Sequence, residues 1–363
     1  MNTLMLLPAL LLFSFFCISQ DINNIQMPEL VKNQARKIIR IPDFSGYKVL
    51  KCDFHMHTIF SDGIVWPTVR VDEAWAEGLD AIAITDHIEN NPSKKFVGGD
   101  DNSSYEIALP HAKQKNLILI RAGEITRKMP PGHFNALFLS DVNKLDTSNF
   151  MDAFIEAGKQ GAFIIWNHPG WKAQQPDTCK WWEIHTELLN KGLLHGVEVF
   201  NEMEYYPIAL DWCDIRGLAY TAASDIHDIS ATTYNLEKHH RPMTLVLTEE
   251  LSERGIKDAL FAKRTIAWFG DFLAGKEEHL KAFFMASVSA KLFEENNRGQ
   301  VYSLKNDSDI PFTLKAPDGY KISLPANSEI IATIPQNTVS NFEVANLLIG
   351  SHKKLNIGFP FKQ

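Results

Sequence analysis

From Val49 onward the chain alternates short, nearly continuous apolar runs with longer stretches whose apolar residues recur at helical spacing. The runs are KCDFH, AIAITDH, LILIRAGEI, FNALFLS, AFIIWNHP, GVEVFN, LAYTAASDIH and MTLVLT. Between them, PTVRVDEAWAEG opens on Pro67 and stops at Gly78, and SNFMDAFIEAGKQG closes at Gly161; proline starts and glycine ends a helix well. Strand, helix, strand, repeated, predicts a parallel sheet or barrel. Apolar runs without alternation predict strands covered on both faces. The rhythm fades near Ala290, and EENNRGQ (residues 294–300) reads as a linker. Beyond it VYSLKN, FTLKA, YKISLP, EIIATIP and FEVANLLIG, with the turn signal PDG at Pro317 to Gly319, predict a small antiparallel β-sandwich-like module over 301–363. The expected division is a leader over 1–19, an N-terminal arm over 20–48, a catalytic α/β domain over 49–293 and the β module.

Composition narrows the class. The chain has 363 residues, 45% of them hydrophobic and 22% charged, which suffices for a large core and excludes a disordered chain. Its net charge is −8, and no Lys/Arg cluster forms a groove-like track, so no nucleic-acid polymer is an expected partner. An acidic protein acting on an anion needs local positive charge, which bound metal ions can supply. The opening MNTLMLLPALLLFSFFCISQ, with small Ser19 near its end, reads as a secretory signal peptide, although it lacks a positive n-region. The apolar run is short for a membrane span, and Phe16 before Cys17 is too bulky for a lipid-attachment site. The expectation is export to the periplasm or beyond, with no transmembrane helix left in the mature chain. Cys52, Cys179 and Cys213 would remain; they form no CxxC pair, allow at most one disulfide, and Cys52 reads as a small buried residue.

Candidate chemistry gathers where the apolar runs end. In KCDFHMHTIFSDG, His55 and His57 are two apart and so share one face of an extended chain, with Asp62 in the following loop. AIAITDH ends in Asp86 and His87; adjacent side chains diverge, so His87 is the expected ligand and Asp86 a support behind it. Glu124 lies near the end of LILIRAGEI, His133 opens the next run, His168 ends AFIIWNHP, and Asp225 and His227 close LAYTAASDIH. A lone HxH or SDG means little. Six histidines and three carboxylates, each at or near an expected strand end, describe a barrel active site loaded with divalent metal. Arg127, three residues after Glu124, and Lys128 are the cationic side chains next to these ends, suited to an anionic substrate. Trp166, Trp171, Trp181 and Trp182 flank His168 and are expected mainly in the core. His111, His185, His239, His240, His279 and His352 are expected at the surface or in turns, and His195 away from the site.

The motifs HMHT (His55 to Thr58), SDG (Ser61 to Gly63), GLDAIAITDH (Gly78 to His87), GEIT (Gly123 to Thr126), NHPG (Asn167 to Gly170) and SDIH (Ser224 to His227) resemble, in order over 51–264, those of the PHP family, named for its polymerase and histidinol phosphatase members. The resemblance implies a distorted (β/α)7 barrel, here with a small C-terminal antiparallel β domain, and two to three divalent ions (Zn, Mn or Fe). By family pattern His55, His57, Glu124 and Asp225 would hold one ion. Asp62, His87 and His227 would hold a second, and His133, His168 and Glu124 a third. The expected activity is hydrolysis of a small phosphomonoester or phosphodiester by in-line attack of a metal-bridging hydroxide, with Asp62, His227 and Arg127 as catalytic candidates and Arg127 and Lys128 on the substrate. Export disfavours a biosynthetic or polymerase-linked role. Two competing readings are an amidohydrolase cutting a C–N bond, which shares barrel and ligand types, and a secreted binding protein whose β module docks a partner. Oligomeric state and substrate identity are not legible.

Overall fold

The computed structural model of the protein describes residues 27–30, 35–335 and 341–361. The chain divides into two compact units, Met1–Ala35 and Arg36–Gln363. In the first, the described part is one 3-10 turn, Pro28–Leu30; the expected signal peptide lies outside the described residues. No described helix is long and apolar enough to cross a membrane.

The second unit begins with β1 (Lys48–Asp53), α1 (Pro67–Ala76), β2 (Ala81–Ile84), α2 (Ser103–Gln114), β3 (Ile118–Thr126) and β4 (His133–Leu137). It continues with α3 (Phe150–Lys159), β5 (Phe163–Trp166), α4 (Glu183–Asn190), β6 (Gly196–Asn201), β7 (Glu204–Tyr205), α5 (Pro207–Arg216), β8 (Ala219–Ala223) and α6 (Ser230–Thr233). Then follow β9 (Met243–Thr248), α7 (Glu253–Phe261), β10 (Thr265–Phe269), β11 (Phe272–Gly275) and α8 (Glu277–Ser287). Local signals set many ends. Pro67 and Pro207 sit at the first helical positions of α1 and α5. Asn149 and Ser252 cap α3 and α7 by accepting from Met151 N and Gly255 N. Gly217 ends α5 at φ 64°, a left-handed turn that only glycine adopts without strain.

The apolar runs are strands covered on both faces. Along β2, Ala81 and Ala83 join one core cluster while Ile82 and Ile84 join another. The first of these clusters draws side chains from β1, β2, β3, β4, β5, β8 and β9, among them Cys52, Ile120, Leu137, Ile165, Ala219 and Val246. A cluster fed by so many strands lies inside a ring of them, and Ile256, Ala259 and Leu260 of α7 plug it. Cys52 is indeed buried, and all three described cysteines are free.

Two expectations need correction. The sheet is mixed, not parallel: β1 with β2, β2 with β3, β5 with β6 and β6 with β8 run parallel, but β4 is antiparallel to β3 and β5, and β9 to β1 and β10. The link between β3 and β4, residues 127–132, is too short for a crossover, so β4 must turn back. The barrel also does not close as a ladder. Among the described residues, no strand pairing spans the gap between β8 and the β1/β9 side. Single contacts stitch it instead: a bridge of Met56 with Ile226, Asp225 N to His55 O at 2.8 Å, and Thr244 Oγ1 with both Ala222 N and Ala222 O at 2.9 Å.

The C-terminal runs form β12 (Val288–Asn296), β13 (Gly299–Asn306), β14 (Phe312–Lys315), β15 (Lys321–Leu324), β16 (Ser328–Pro335), β17 (Asn341–Gly350) and β18 (Lys353–Gly358). The stretch 294–300, expected as a linker, is the tip of the β12–β13 hairpin. β12, β13 and β16 make a three-stranded sheet, while β17 pairs in parallel with β11 and so continues the main sheet. Leu304, Phe312, Phe342 and Val344 share one core with Met56 and Ile84.

Candidate metal centre

The nine polar side chains singled out by motif converge at one end of the ring. His55 and His57 follow the end of β1, with Phe54 and Met56 buried in separate core clusters between and before them. Gly63 makes the turn that brings Asp62 back: a Cβ there would sit 2.6 Å from the carbonyl carbon of His57, so only glycine lets this loop press on the histidine strand. His87 extends β2 and bridges to Glu124 on β3. Because β4 is antiparallel, its first residue, His133, stands at the same end as the last residues of the parallel strands. His168 follows β5, and Asp225 and His227 follow β8. His168 and Asp225 sit at φ 27° and 50°, backbone values costly for non-glycine residues that are held in place by their surroundings.

Glu124 is wholly buried at the centre. Its Oε2 lies 2.7 Å from His87 Nδ1, 3.5 Å from His57 Nε2 and 3.6 Å from His55 Nε2, and its Oε1 lies 2.9 Å from His133 Nδ1. Asp225 Oδ1 is 3.0 Å from His55 Nε2 and 2.9 Å from His57 Nε2. Asp62 Oδ1 is 3.1 Å from His227 Nε2 and 3.4 Å from His87 Nε2. Three donor sets emerge, each with its ligand atoms within 4.8 Å of one another: His57, Asp62, His87 and His227; His55, His57 and Asp225; His87, Glu124 and His133. The grouping departs from the family-derived assignment in three respects: His57 and His87 each belong to two sets, Glu124 is absent from the set of His55, His57 and Asp225, and His87 rather than His168 stands with Glu124 and His133. His168 Nε2 faces Asp225 Oδ2 at 3.8 Å.

These donors fit divalent ions. His55 Nε2, Asp62 Oδ1 and Glu124 Oε2 are buried yet make no hydrogen bond, despite neighbours at about 3 Å. Nitrogen and oxygen atoms that close, without hydrogen-bond alignment, aim their lone pairs at shared space. Ligands about 2.0–2.2 Å from one ion stand at such separations from each other. Electrostatics divides the donors: despite burial, facing carboxylates raise His55, His87 and His227, so metal binding there would release protons, whereas His57 and His168 are lowered. Burial and then the neighbouring His87 press His57 down to about 3, and burial presses His168 to about 3, leaving both neutral with a lone pair to give. Burial would raise Glu124 and Asp225, but facing histidines, His87 and His55 foremost, hold both carboxyls well below their usual range. Burial works against a charge on His87 too, yet Glu124 raises it to about 10.

No family model matches the sequence, and none of the curated proteins does. The crystal structure of a two-domain protein from Bacteroides vulgatus, containing a predicted PHP-like metal-dependent phosphoesterase, is 44% identical and superposes with a TM-score of 0.87 over 90% of this chain and 99% of that one. The chain belongs to the PHP-like metal-dependent phosphoesterase family. A candidate metal-dependent phosphoesterase from Bifidobacterium adolescentis (19% identity, TM-score 0.38, 48% of this chain and 87% of that one) and an amidohydrolase from Chromobacterium violaceum with bound sulfate (15%, 0.37, 50% and 88%) are too distant to bear on the activity.

In this PHP-like protein the centre floors a cavity of about 310 Å³ lined by Asp62, His87, His133, His168, Asp225 and His227 together with Asn90, Thr126, Trp171, Asn201, Glu202 and Glu204. The cationic side chains expected on the substrate do not reach it. Arg127 Nη2 pairs with Glu89 Oε1 at 2.8 Å and donates to Thr147 O at 2.9 Å, and Lys128 is exposed; neither lines the cavity. The cause is the tight link to β4, which turns the chain away just after Thr126. Of the four tryptophans near His168, only Trp171 lines the cavity, packed on His133 and His168; Trp166 is buried between Trp212 and His185. His185, expected at the surface, is therefore a core residue, its Nε2 on Pro131 O at 2.7 Å.

Asp86, expected as a support, accepts from Thr58 N, Thr58 Oγ1 and Ser61 Oγ, tying the loop after His57. Other supporting residues escaped the motif reading. Glu198, midway along β6, lies 2.8 Å from His55 Nδ1 and accepts from His168 N at 2.6 Å and Asn201 Nδ2 at 2.8 Å. It thus turns the Nε2 atom of His55 toward the centre. Its only sequence mark is a charge inside the apolar run GVEVFN. Arg70 and Arg241 are wholly buried beneath the seam between β8 and β1. Arg241 pairs with Glu77 and with Asp53, which accepts from Ser224 beside Asp225.

Proposed function

We propose that the protein hydrolyses small phosphate esters, monoesters or diesters, at this centre. The observation that carries the reading is the convergence of buried, unpaired ligand atoms on Glu124, Asp62 and His55 in a chain whose family is that of metal-dependent phosphoesterases. Divalent ions held by these donors supply Lewis acidity that activates water and offsets phosphoryl charge. The chain's own residues do the rest. Glu124, whose carboxylate lies within 3.6 Å of ring nitrogens of His55, His57, His87 and His133, would hold metal together with these histidines. Glu198 fixes the tautomer of His55 so that Nε2 faces inward. Asp62, His227 and Asp225 stand at the open side, where the ester would approach, and Asn90 holds Asp62 through Oδ2 at 2.9 Å. With Arg127 paired to Glu89, no described Lys or Arg lines the cavity, so ester charge would be met by ions and histidines alone.

Export is part of the proposal. It rests on the apolar leader of 1–19, and recovery of a chain starting near Gln20 from the extracytoplasmic fraction tests it. The activity is tested by hydrolysis of p-nitrophenyl phosphate and bis-p-nitrophenyl phosphate after chelator treatment and re-addition of Mn or Zn. Metal-restored release supports the reading, and the preferred ester separates monoesterase from diesterase. Inactivity on both with metal bound counts against it.

A further inference from the structure

The wall of the cavity is unusual for a site that takes an anion. Beyond the donor sets it consists of two carboxylates, Glu202 and Glu204, the amides Asn90 and Asn201, the hydroxyl-bearing Thr126 and the face of Trp171. Among the described residues no lysine or arginine lines it. The backbone places both residues on one hairpin. They flank the tip of the β6–β7 hairpin, in which Asn201 pairs with Glu204. Glu202 sits at φ 47° with its N–H donating to Ala223 O at 3.2 Å, two residues before Asp225. Glu204 accepts a hydrogen bond from Tyr206 Oη. Trp171 is 41% exposed; its backbone N–H donates to His168 O at 3.0 Å and its ring packs against His133 and His168, so an apolar face is presented beside the centre.

We infer that Glu202 and Glu204 make this site selective for the monophosphate of a small polyol and against leaving groups that carry a second phosphate. This rests on the phosphoesterase reading above. A phosphoryl group at the donor sets leaves its alcohol portion against this wall. Carboxylates and amide oxygens accept hydrogen bonds from hydroxyl groups, and an indole face packs on the apolar face of a sugar-like ring. A second phosphate in the same place meets the like charge of both carboxylates, with no lysine or arginine on the wall to offset it. The volume, about 310 Å³, lies at the small end of ligand pockets, roughly 300–1,000 Å³, and suits a single ring.

The matched pair fructose 6-phosphate and fructose 1,6-bisphosphate tests this, since the two differ by one phosphate. Metal-loaded protein is expected to favour the monophosphate in kcat/KM by about tenfold or more, on like-charge repulsion. Glu202→Gln and Glu204→Gln are each expected to narrow that ratio, and the double variant to bring it near one. The ratio cancels any loss common to both substrates. Calorimetric titration with the corresponding non-hydrolysable phosphonates reads the same preference without turnover. Hydrolysis of p-nitrophenyl phosphate with a fructose ratio near one, or a ratio unmoved in the variants, overturns the selectivity and leaves the phosphoesterase reading standing. Absence of turnover on every ester, with metal bound, overturns both.

Discussion

The buried guanidinium of Arg70 donates through Nε to the carbonyl of His57 at 2.8 Å. Its Nη atoms reach Ile226 O, His227 O and Asp228 O at 3.0, 2.8 and 2.7 Å, and Glu73 at 2.7 Å. One side chain on α1 therefore joins the segment after β1 to the segment after β8, across the gap that no ladder spans. Both segments carry candidate ligands.

Arg70→Lys is expected to fold, because the ammonium keeps the charge beside Glu73, yet it cannot reproduce four directed bonds to carbonyls. Divalent-metal affinity should fall by about 10–100-fold, the usual result when a ligand's support is removed. Arg70→Met should cost stability outright, about 3–5 kcal/mol, since Glu73 and the carbonyls lose their partner. Calorimetric metal titration and chemical denaturation check the two effects separately.

Glu198→Gln keeps the shape of the side chain but removes the charge behind His55. Burial pushes the Glu198 carboxyl up even though His55 opposes this, so the carboxylate is held at a cost that its hydrogen bonds must offset. Metal affinity is expected to fall by about 10–100-fold with little loss of Tm in the metal-free protein. A variant with unaltered affinity would show that His55 is oriented by other contacts.

The Glu77–Arg241 pair makes stability depend on pH. Burial raises the Glu77 carboxyl, but Arg241 outweighs it and holds the group below 4.5. The folded chain therefore binds this proton less readily than the unfolded chain. Its contribution is fully present above pH about 4.5 and fades as pH falls through the lower folded value. Tm of the metal-free protein should drop as acid is added below that point, and Glu77→Gln should start lower at neutral pH and drop less steeply. Parallel pH profiles would contradict this.

Arg127→Ala is expected to change kcat/KM on p-nitrophenyl phosphate by less than about threefold, because the guanidinium is committed to Glu89 and Thr147 O and partly exposed pairs contribute little. A loss of a hundredfold or more would place Arg127 on the substrate after all.

The convergence of the candidate donors was legible because they fall at run ends, where any barrel gathers them, and because HxH and SDIH spacing puts pairs on one side. What escaped was set by tertiary contact. Glu198, Arg70 and Arg241 carry charge inside apolar surroundings, and only the fold shows which partners neutralise them. Arg127 sits next to a ligand in sequence, yet the short link to β4 carries it away. The direction of β4 was hidden because an apolar run reads the same in either direction; that reversal places His133 at the centre. Glu202 follows a strand end like several true candidates, and only the hairpin geometry turns it to the cavity.

The central claim is that Glu124 joins the donor sets of a metal-powered phosphoesterase. The most direct measurement is bound metal per chain and kcat/KM on p-nitrophenyl phosphate, taken together on chelator-treated, metal-reloaded wild type and Glu124→Gln. The account predicts that wild type regains metal and activity in step, and that Glu124→Gln remains folded but loses more than one ion's worth of binding and at least about a thousandfold in rate, as expected when charge-stabilising groups are removed. Hydrolysis that persists in the stripped wild type, or in Glu124→Gln, would contradict it.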